Sequence, residues 1–150
     1  MTAFRFETVI QPDWIDYNGH LRDSNFHLVF SLAVDALQDE VGFDAAYRAQ
    51  TDCSIYLVES HVFYLREVKV GQRVTVETRL LAVDAKRFHL YMEMFEAGDR
   101  VAVGEFMELH VAQKPTPRAA PMPEPIRARL ERVRVVDPEA LDRRARVIGA

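Results

Sequence analysis

Two hydrophobic periods divide the chain. From Ser24 to about Val41 the apolar residues are Phe26, Leu28, Val29, Phe30, Leu32, Ala33, Val34, Ala36, Leu37 and Val41. They cover most of a helical circumference, which predicts a buried central helix rather than a one-sided surface helix. Gly42 is placed to stop it, because glycine takes the left-handed conformation of a helix C-terminus at no steric cost. A short helical turn is expected around 44–49.

After that the period becomes two. The runs 53–68, 73–85, 86–97 and 100–112 are long and rich in β-branched and aromatic residues, and "FRFETVI" (Phe4 to Ile10) alternates in the same way. Turn signals fall at Val70-Gly71-Gln72, Asp84-Ala85-Lys86 and Ala97-Gly98-Asp99. Connections this short imply antiparallel pairing. The expected architecture is α+β: a strongly curved antiparallel sheet of five strands wrapped around one long central helix. Residues 1–113 form that domain. "KPTPRAAPMPEP" (Lys114 to Pro125) holds five of the seven prolines and is expected to be a surface strap, neither strand nor helix. Helical spacing at Ile126, Leu130 and Val133, then "DPEAL" with Asp137 as N-cap and Pro138 first in the helix, predicts C-terminal helices packed on the domain within 114–150.

Composition narrows the function classes. The chain has 150 residues, 49% of them hydrophobic, enough for one sizeable core and too apolar for disorder. Net charge is −4 with both signs mixed, so nothing draws the protein to nucleic acid or an anionic membrane. The single cysteine, Cys53, excludes an internal disulfide and cysteine-rich metal sites. The five histidines show no metal-site spacing, so no metal is expected. "MTAFRFETVI" lacks the apolar core of a signal peptide, and no run approaches transmembrane length, so a soluble, cytoplasmic protein is expected.

The candidate chemistry is concentrated in "DWIDYNGHLRDSNF", from Asp13 to Phe26. Gly19 permits a sharp turn or the close approach of a ligand. Asp23 or Ser24 suits the N-cap of the helix. First-turn N–H groups have no partner within a helix and lie at the positive end of its dipole. One such donor aimed at a developing oxyanion is worth roughly 10²–10³ in rate. Asp16 lies seven residues upstream, where its carboxylate could attack a carbonyl carbon or activate water toward it. Asn18 and His20 could orient water or substrate. The same residues also suit a purely structural role, with Asp16 and Asn18 as turn formers and Asp23 as a cap.

"DYNGHLRDSNF" (Asp16 to Phe26) resembles the Asp-x-x-Gly-His-Val-Asn-Asn-x-x-Tyr signature of hotdog-fold acyl-CoA thioesterases of the 4-hydroxybenzoyl-CoA thioesterase type. "FYLREVKVGQRVTVETRLL" (Phe63 to Leu81) resembles the same family's hairpin with its Val-x-x-Gly turn. More narrowly, "WIDYNGHLRDSNF" followed by Asp35-Ala36 is similar to the thioesterases of carnitine catabolism, which hydrolyse betainyl-CoA, a small thioester with a trimethylammonium head. The resemblance implies a hotdog fold and hydrolysis of a short or modest acyl-CoA to carboxylate and CoA, a reaction that needs no cofactor. It implies Asp16 as nucleophile or general base, and a helix-start N–H near Arg22 and Asp23 on the thioester carbonyl. Arg22-Asp23 stands where the signature has paired asparagines, and Asp23 is expected to turn back onto the helix amides. Phe26 stands in place of the tyrosine.

Further residues are candidates for substrate contact. By parity Glu59 and His61 share one strand face with Ile55, Leu57, Phe63 and Leu65, and a strand at this place borders the partner's site in hotdog dimers. They could orient water or neutralise a cationic acyl group, or form a satisfied interface pair. Asp35 lies on a polar helix stripe with His27, Ser31 and Gln38, making a structural hydrogen bond, lining the substrate pocket or acting as a rival catalyst. Trp14, Tyr17, Phe30 and Tyr56 could enclose a trimethylammonium head, each ring face contributing roughly 0.5–2 kcal/mol. Core packing explains the same rings. Arg66, Lys69, Arg73, Lys86 and Arg87 are candidates for the CoA phosphates, whereas His89 and His110 read as structural. A homodimer is expected, extending to a dimer of dimers. A non-catalytic acyl-CoA-binding protein and a hotdog hydratase or dehydratase stand as alternatives.

Overall fold

A computed structural model describes residues 2–145 and 148. Five long strands, β1 (Phe4–Val9), β2 (Cys53–Tyr64), β3 (Arg73–Val83), β4 (Arg87–Glu96) and β5 (Asp99–Ala112), form one antiparallel sheet in the order β1-β3-β4-β5-β2. A two-residue strand, β6 (Arg118–Ala119), pairs with β5. The proline-rich segment was expected to hold neither strand nor helix, yet it meets the sheet here and its last two residues, Glu124 and Pro125, open a helix, where proline is tolerated in the first turn. Its two non-proline residues at 118–119 have the free backbone groups that a bridge needs.

Helix α1 (Asp23–Val41) lies in the concave face. Its buried residues, Phe26, Val29, Phe30, Ala33, Val34, Leu37 and Val41, form a single stripe, while Leu28, Leu32 and Ala36 are only half-buried. The apolar coverage expected all round therefore resolves into one buried face and one apolar flank. Gly104 on β5 permits a close approach: a Cβ there would stand 3.2 Å from the Phe30 ring. Gly42 ends the helix at φ +112°, its N–H donating to the Gln38 carbonyl at 3.1 Å.

Two further helices complete the fold, α2 (Ala45–Thr51) and α3 (Glu124–Glu131). α3 sends Ile126 and Leu130 into the core beside Gly42. β1 pairs with β3 only as far as Thr78, and beyond it Leu80 takes Arg134 as a parallel bridge. Val135 and Leu141 then join Leu81, Tyr91 and Val103 on the convex face. Pro138–Ala140 forms a single 3-10 turn in place of the expected helix, and the Asp137 side chain makes no capping bond.

One irregularity changes the meaning of a whole strand. The register of β2 on β5 shifts between Leu57 and Glu59, so Val58 is an inserted residue. Ile55 and Leu57 oppose His110 and Glu108, on the face that holds α1. Beyond the bulge the parity is inverted. Ser60 and Val62 oppose Phe106 and Gly104 on the concave side, and Glu59, His61 and Phe63 oppose Met107, Glu105 and Val103 on the convex side. The expected single face for Ile55, Leu57, Glu59 and His61 does not exist, because one extra residue reverses every side chain after it.

Candidate active site

The Asp16–His20 stretch is a tight turn closed by an Ile15–Leu21 bridge. The Asp16 N–H donates to the His20 carbonyl at 2.8 Å, and the Gly19 N–H donates to the Asp16 carbonyl at 3.1 Å. Gly19 sits at φ +78°, in the left-handed region. Oδ1 of Asp16 accepts the N–H of Asn18 at 2.8 Å and of His20 at 3.2 Å. Desolvation opposes the charged form, but these two donors, with the fields of His20 and Arg22, hold the carboxyl below its ordinary value. Oδ2 has no hydrogen-bond partner among the described residues. The turn-forming and chemical readings of Asp16 are thus compatible: one oxygen builds the loop and the other makes no hydrogen bond to a described residue.

The loop is fixed to its surroundings by backbone bonds. Trp14 offers its carbonyl to the Asn25 side chain at 2.8 Å and to the Arg22 N–H at 3.0 Å. On the other side, Leu21 donates to the Val68 carbonyl at 2.6 Å and Val70 to that of Gly19 at 3.2 Å. The N-cap of α1 is Arg22, not Asp23 or Ser24 as expected. Arg22 has extended backbone angles but a side chain that cannot accept, so it gives no side-chain cap. Asp23 instead turns back onto the helix, Oδ1 accepting the Ser24 N–H at 2.7 Å.

That arrangement leaves one backbone donor over. The Arg22 N–H is used by Trp14, the Ser24 N–H by Asp23, and the Asn25 N–H by the Arg22 carbonyl. The Asp23 N–H has no acceptor among the described residues. It stands at the positive end of a helix of 19 residues.

Asp16 and Asp23 line a common cavity of about 500 Å³. Its first wall is the 16–23 loop with Phe26, and its second is Tyr64 through Glu67. His20 reaches across to Glu67, Nε2 to Oε2 3.5 Å. Arg66 is held by Asp99 at 2.7 Å. Tyr64 was not anticipated. Its hydroxyl donates to the Asp23 carbonyl at 3.1 Å, and its ring meets Phe26 edge-on at 5.2 Å. It reaches the helix only because the Val58 bulge reverses the strand.

Other expected residues lie elsewhere. Phe30 is fully buried in the core against Gly104, closed to a ligand, and Trp14 packs partly on the same core. Tyr56 opposes Leu109 on the convex face and accepts from Gln113. Tyr17, 94% exposed, is the one member of the expected aromatic enclosure that lines the cavity. Glu59 and His61 are on the convex side, as described. Among the CoA candidates, Arg66 lines the cavity and Lys69 bridges His20. Arg73 lies on a separate surface beside Glu7, and Lys86 and Arg87 flank Asp84 at the opposite end of β3, about 30 Å from Arg73 at strand rise.

Asp35 lies about 18 Å along α1 from Asp23, at 1.5 Å per residue. Its neighbour is Glu108, which is only 3% exposed and which burial and then the Asp35 charge push up to about 7. Asp35 is itself raised, first by desolvation and then by Asp39. His27 stacks on Phe106 at 4.8 Å and shares a hydrogen bond with Ser60 at 3.0 Å. His110 is held by the Tyr47 hydroxyl at 2.6 Å and the Ala120 carbonyl at 2.8 Å. No group of side chains among the described residues could hold a metal ion. No described helix is long and apolar enough to cross a membrane.

A curled antiparallel sheet around one central helix is the hotdog fold. The chain belongs to the thioesterase-like superfamily, whose model matches residues 10–130. It is 43% identical to a betainyl-CoA thioesterase of Pseudomonas aeruginosa PAO1 over 128 residues, covering 84% of this chain and 80% of that one. It is 45% identical to an L-carnitine dehydrogenase/betainyl-CoA thioesterase of Agrobacterium fabrum, covering 81% of this chain but 25% of the longer protein. Among solved structures, one from Pseudomonas putida KT2440 superposes with a TM-score of 0.80 at 36% identity, covering 99% of both chains. The protein SAV2348 of Staphylococcus aureus, solved in complex with CoA, has the same fold, with a TM-score of 0.82 at 24% identity over 97% of this chain and 95% of that one.

Proposed function

We propose that this thioesterase hydrolyses betainyl-CoA to betaine and CoA in carnitine catabolism, with Asp16 at its chemical centre. The observation that carries the mechanism is that one cavity is lined by Asp16 and Asp23, whose Oδ2 and backbone N–H have no hydrogen-bond partner among the described residues. The substrate is carried over from the Pseudomonas aeruginosa relative.

The thioester carbonyl oxygen accepts the Asp23 N–H, which polarises it and stabilises the oxyanion. Asp16 then acts in one of two ways. It attacks the carbonyl carbon, expelling the CoA thiolate and leaving a mixed anhydride for water to cleave. Alternatively it takes a proton from water, whose hydroxide adds to the carbon before the thiolate leaves. Both routes end in a carboxylate, CoA and a proton. Asn18 and His20 orient the water or the acyl group. Arg66 and Lys69, beside the cavity, receive the CoA phosphates.

The protein acts as a homodimer. Among the described residues β2 is an edge strand of 12 residues carrying exposed Tyr56, Leu57 and Val58, and α1 leaves Leu28 and Leu32 only half-buried. A sheet edge of that length is a template for a second copy. The test is thiol release from a panel of acyl-CoAs, wild type against Asp16→Asn. Turnover of betainyl-CoA that collapses in the variant, with ester binding retained, supports the assignment. Tight binding without turnover by the wild type would make this an acyl-CoA-binding protein.

A further inference from the structure

The substrate proposed above raises a question that its chemistry makes sharp. A quaternary ammonium has no N–H and cannot donate a hydrogen bond. Only negative charge and aromatic faces can recognise it. In a betainyl thioester the nitrogen lies about 2.5 Å from the carbonyl carbon, the N–Cα–C geometry of an amino acid. The cation therefore has to be held in the same cavity as the reacting carbonyl. The most acidic alternative, Asp35 with Glu108, is about 18 Å away along α1 and is excluded within one chain on that distance.

We propose that Tyr64 and Asp23 form the wall that recognises the substrate's trimethylammonium group, and so set acyl specificity. This rests on the betainyl-CoA reading. Tyr64 is 53% exposed and lines the cavity, with its hydroxyl tethered to the Asp23 carbonyl at 3.1 Å and its ring supported edge-on by Phe26. Those two contacts fix the ring's orientation before substrate arrives. The Asp23 carboxylate is held through Oδ1 by Ser24, and no ion pair to it exists among the described residues. Its charge reaches Tyr64, whose hydroxyl is pushed up by burial and then by Asp23.

The same arrangement accounts for an acid beside an oxyanion. For a neutral acyl group, Asp23 would oppose the negative charge that develops on the carbonyl oxygen. A cation two bonds from the carbonyl screens the two from each other. Methyl groups set against this carboxylate break no hydrogen bond that the described residues make to its second oxygen. Tyr64 and Asp23 therefore suit a cation that cannot hydrogen-bond.

The test compares kcat/KM for betainyl-CoA with that for 3,3-dimethylbutyryl-CoA, its neutral carbon isostere, in the wild type, Tyr64→Leu, Tyr64→Phe and Asp23→Asn. The wild type is expected to prefer the cation. Tyr64→Leu and Asp23→Asn should each reduce the preference about tenfold, or ~1.4 kcal/mol, mainly through KM for betainyl-CoA. Tyr64→Phe, which keeps the ring, should retain most of it. A merely structural role would lower both esters in parallel and leave the ratio unchanged, and that result overturns the inference alone. A wild-type ratio near one overturns the betainyl-CoA reading and this inference with it.

Discussion

His89 and Glu105 face each other from adjacent strands with Nε2 2.9 Å from Oε1, and each is only 2% exposed. The second carboxylate oxygen of Glu105 accepts the Ala145 N–H and lies 3.4 Å from Arg144. Desolvation raises the Glu105 pKa, but His89, the Ala145 amide and Arg144 together bring it below its ordinary value. Glu105→Ala should cost about 3–5 kcal/mol, because it strands a buried partner. A depressed folded pKa makes this contribution present above the unfolded value and lost as pH falls through the folded one. Urea unfolding at pH 7 and at pH 3 checks both parts: the difference between wild type and variant should shrink at the lower pH.

Glu108 behaves in the opposite sense. Its folded pKa is raised from 4.5 to about 7 by burial and Asp35. Stability is therefore full below about pH 4.5 and declines as pH rises through 7, by about 3 kcal/mol at most. Glu108→Gln should stabilise the protein at pH 8 and change little at pH 4.5. Thermal melts of both proteins at the two pH values decide it, and an equal shift at both would contradict the assignment.

Asp16→Asn separates the two jobs of that side chain. An Asn oxygen can still accept the Asn18 and His20 amides, so the turn should survive and Tm should move little. The lost base or nucleophile should lower kcat by roughly 10²–10⁴. Because Asp16 is held below the ordinary carboxylate range, wild-type kcat/KM should show no acid limb from Asp16 between pH 5 and 8. An acid limb near 7 that vanishes in Glu108→Gln would transfer the chemical role to Glu108.

Gly19→Ala tests the turn from its backbone. Nothing lies within 4 Å of the added Cβ, so the cost comes from φ +78° alone, about 1–2 kcal/mol. Activity should fall further than stability, since Gly19 donates to the Asp16 carbonyl and accepts from Val70. Gly19→Asn should be milder, because asparagine tolerates the left-handed region. Circular-dichroism melts beside thiol-release assays give the two numbers.

Much of the architecture was legible because its signals are local. Alternation at 73–83 and 87–96 marks strands wherever they end up, and Gly42 announces a helix end by its lack of a Cβ. The "DYNGH" turn was legible for the same reason: an Asx bond and a left-handed glycine both act within four residues. Val58 left a faint sign, since the apolar run Ile55 to Val58 breaks the alternation that a half-buried strand should keep. Glu108 shares parity with Phe106 and His110, so its place on the helix side could have been read. That no donor among the described residues reaches it could not.

The sequence by itself determined the two periods, the antiparallel order of short connections, and the placing of a carboxylate, a glycine turn and a helix start in immediate succession. Tertiary structure alone decided which groups remain unused there. Among the described residues the Asp23 N–H has no acceptor, because the Trp14 carbonyl is taken up by Arg22 and Asn25 and the Asp23 carboxylate by Ser24. Tyr64 enters the cavity only because one inserted residue on β2 reverses the strand's faces. His89 finds Glu105, and Glu108 finds Asp35, across separations that no local pattern encodes. Hydrogen bonds and charges act over a few ångströms of space, whatever the distance along the chain.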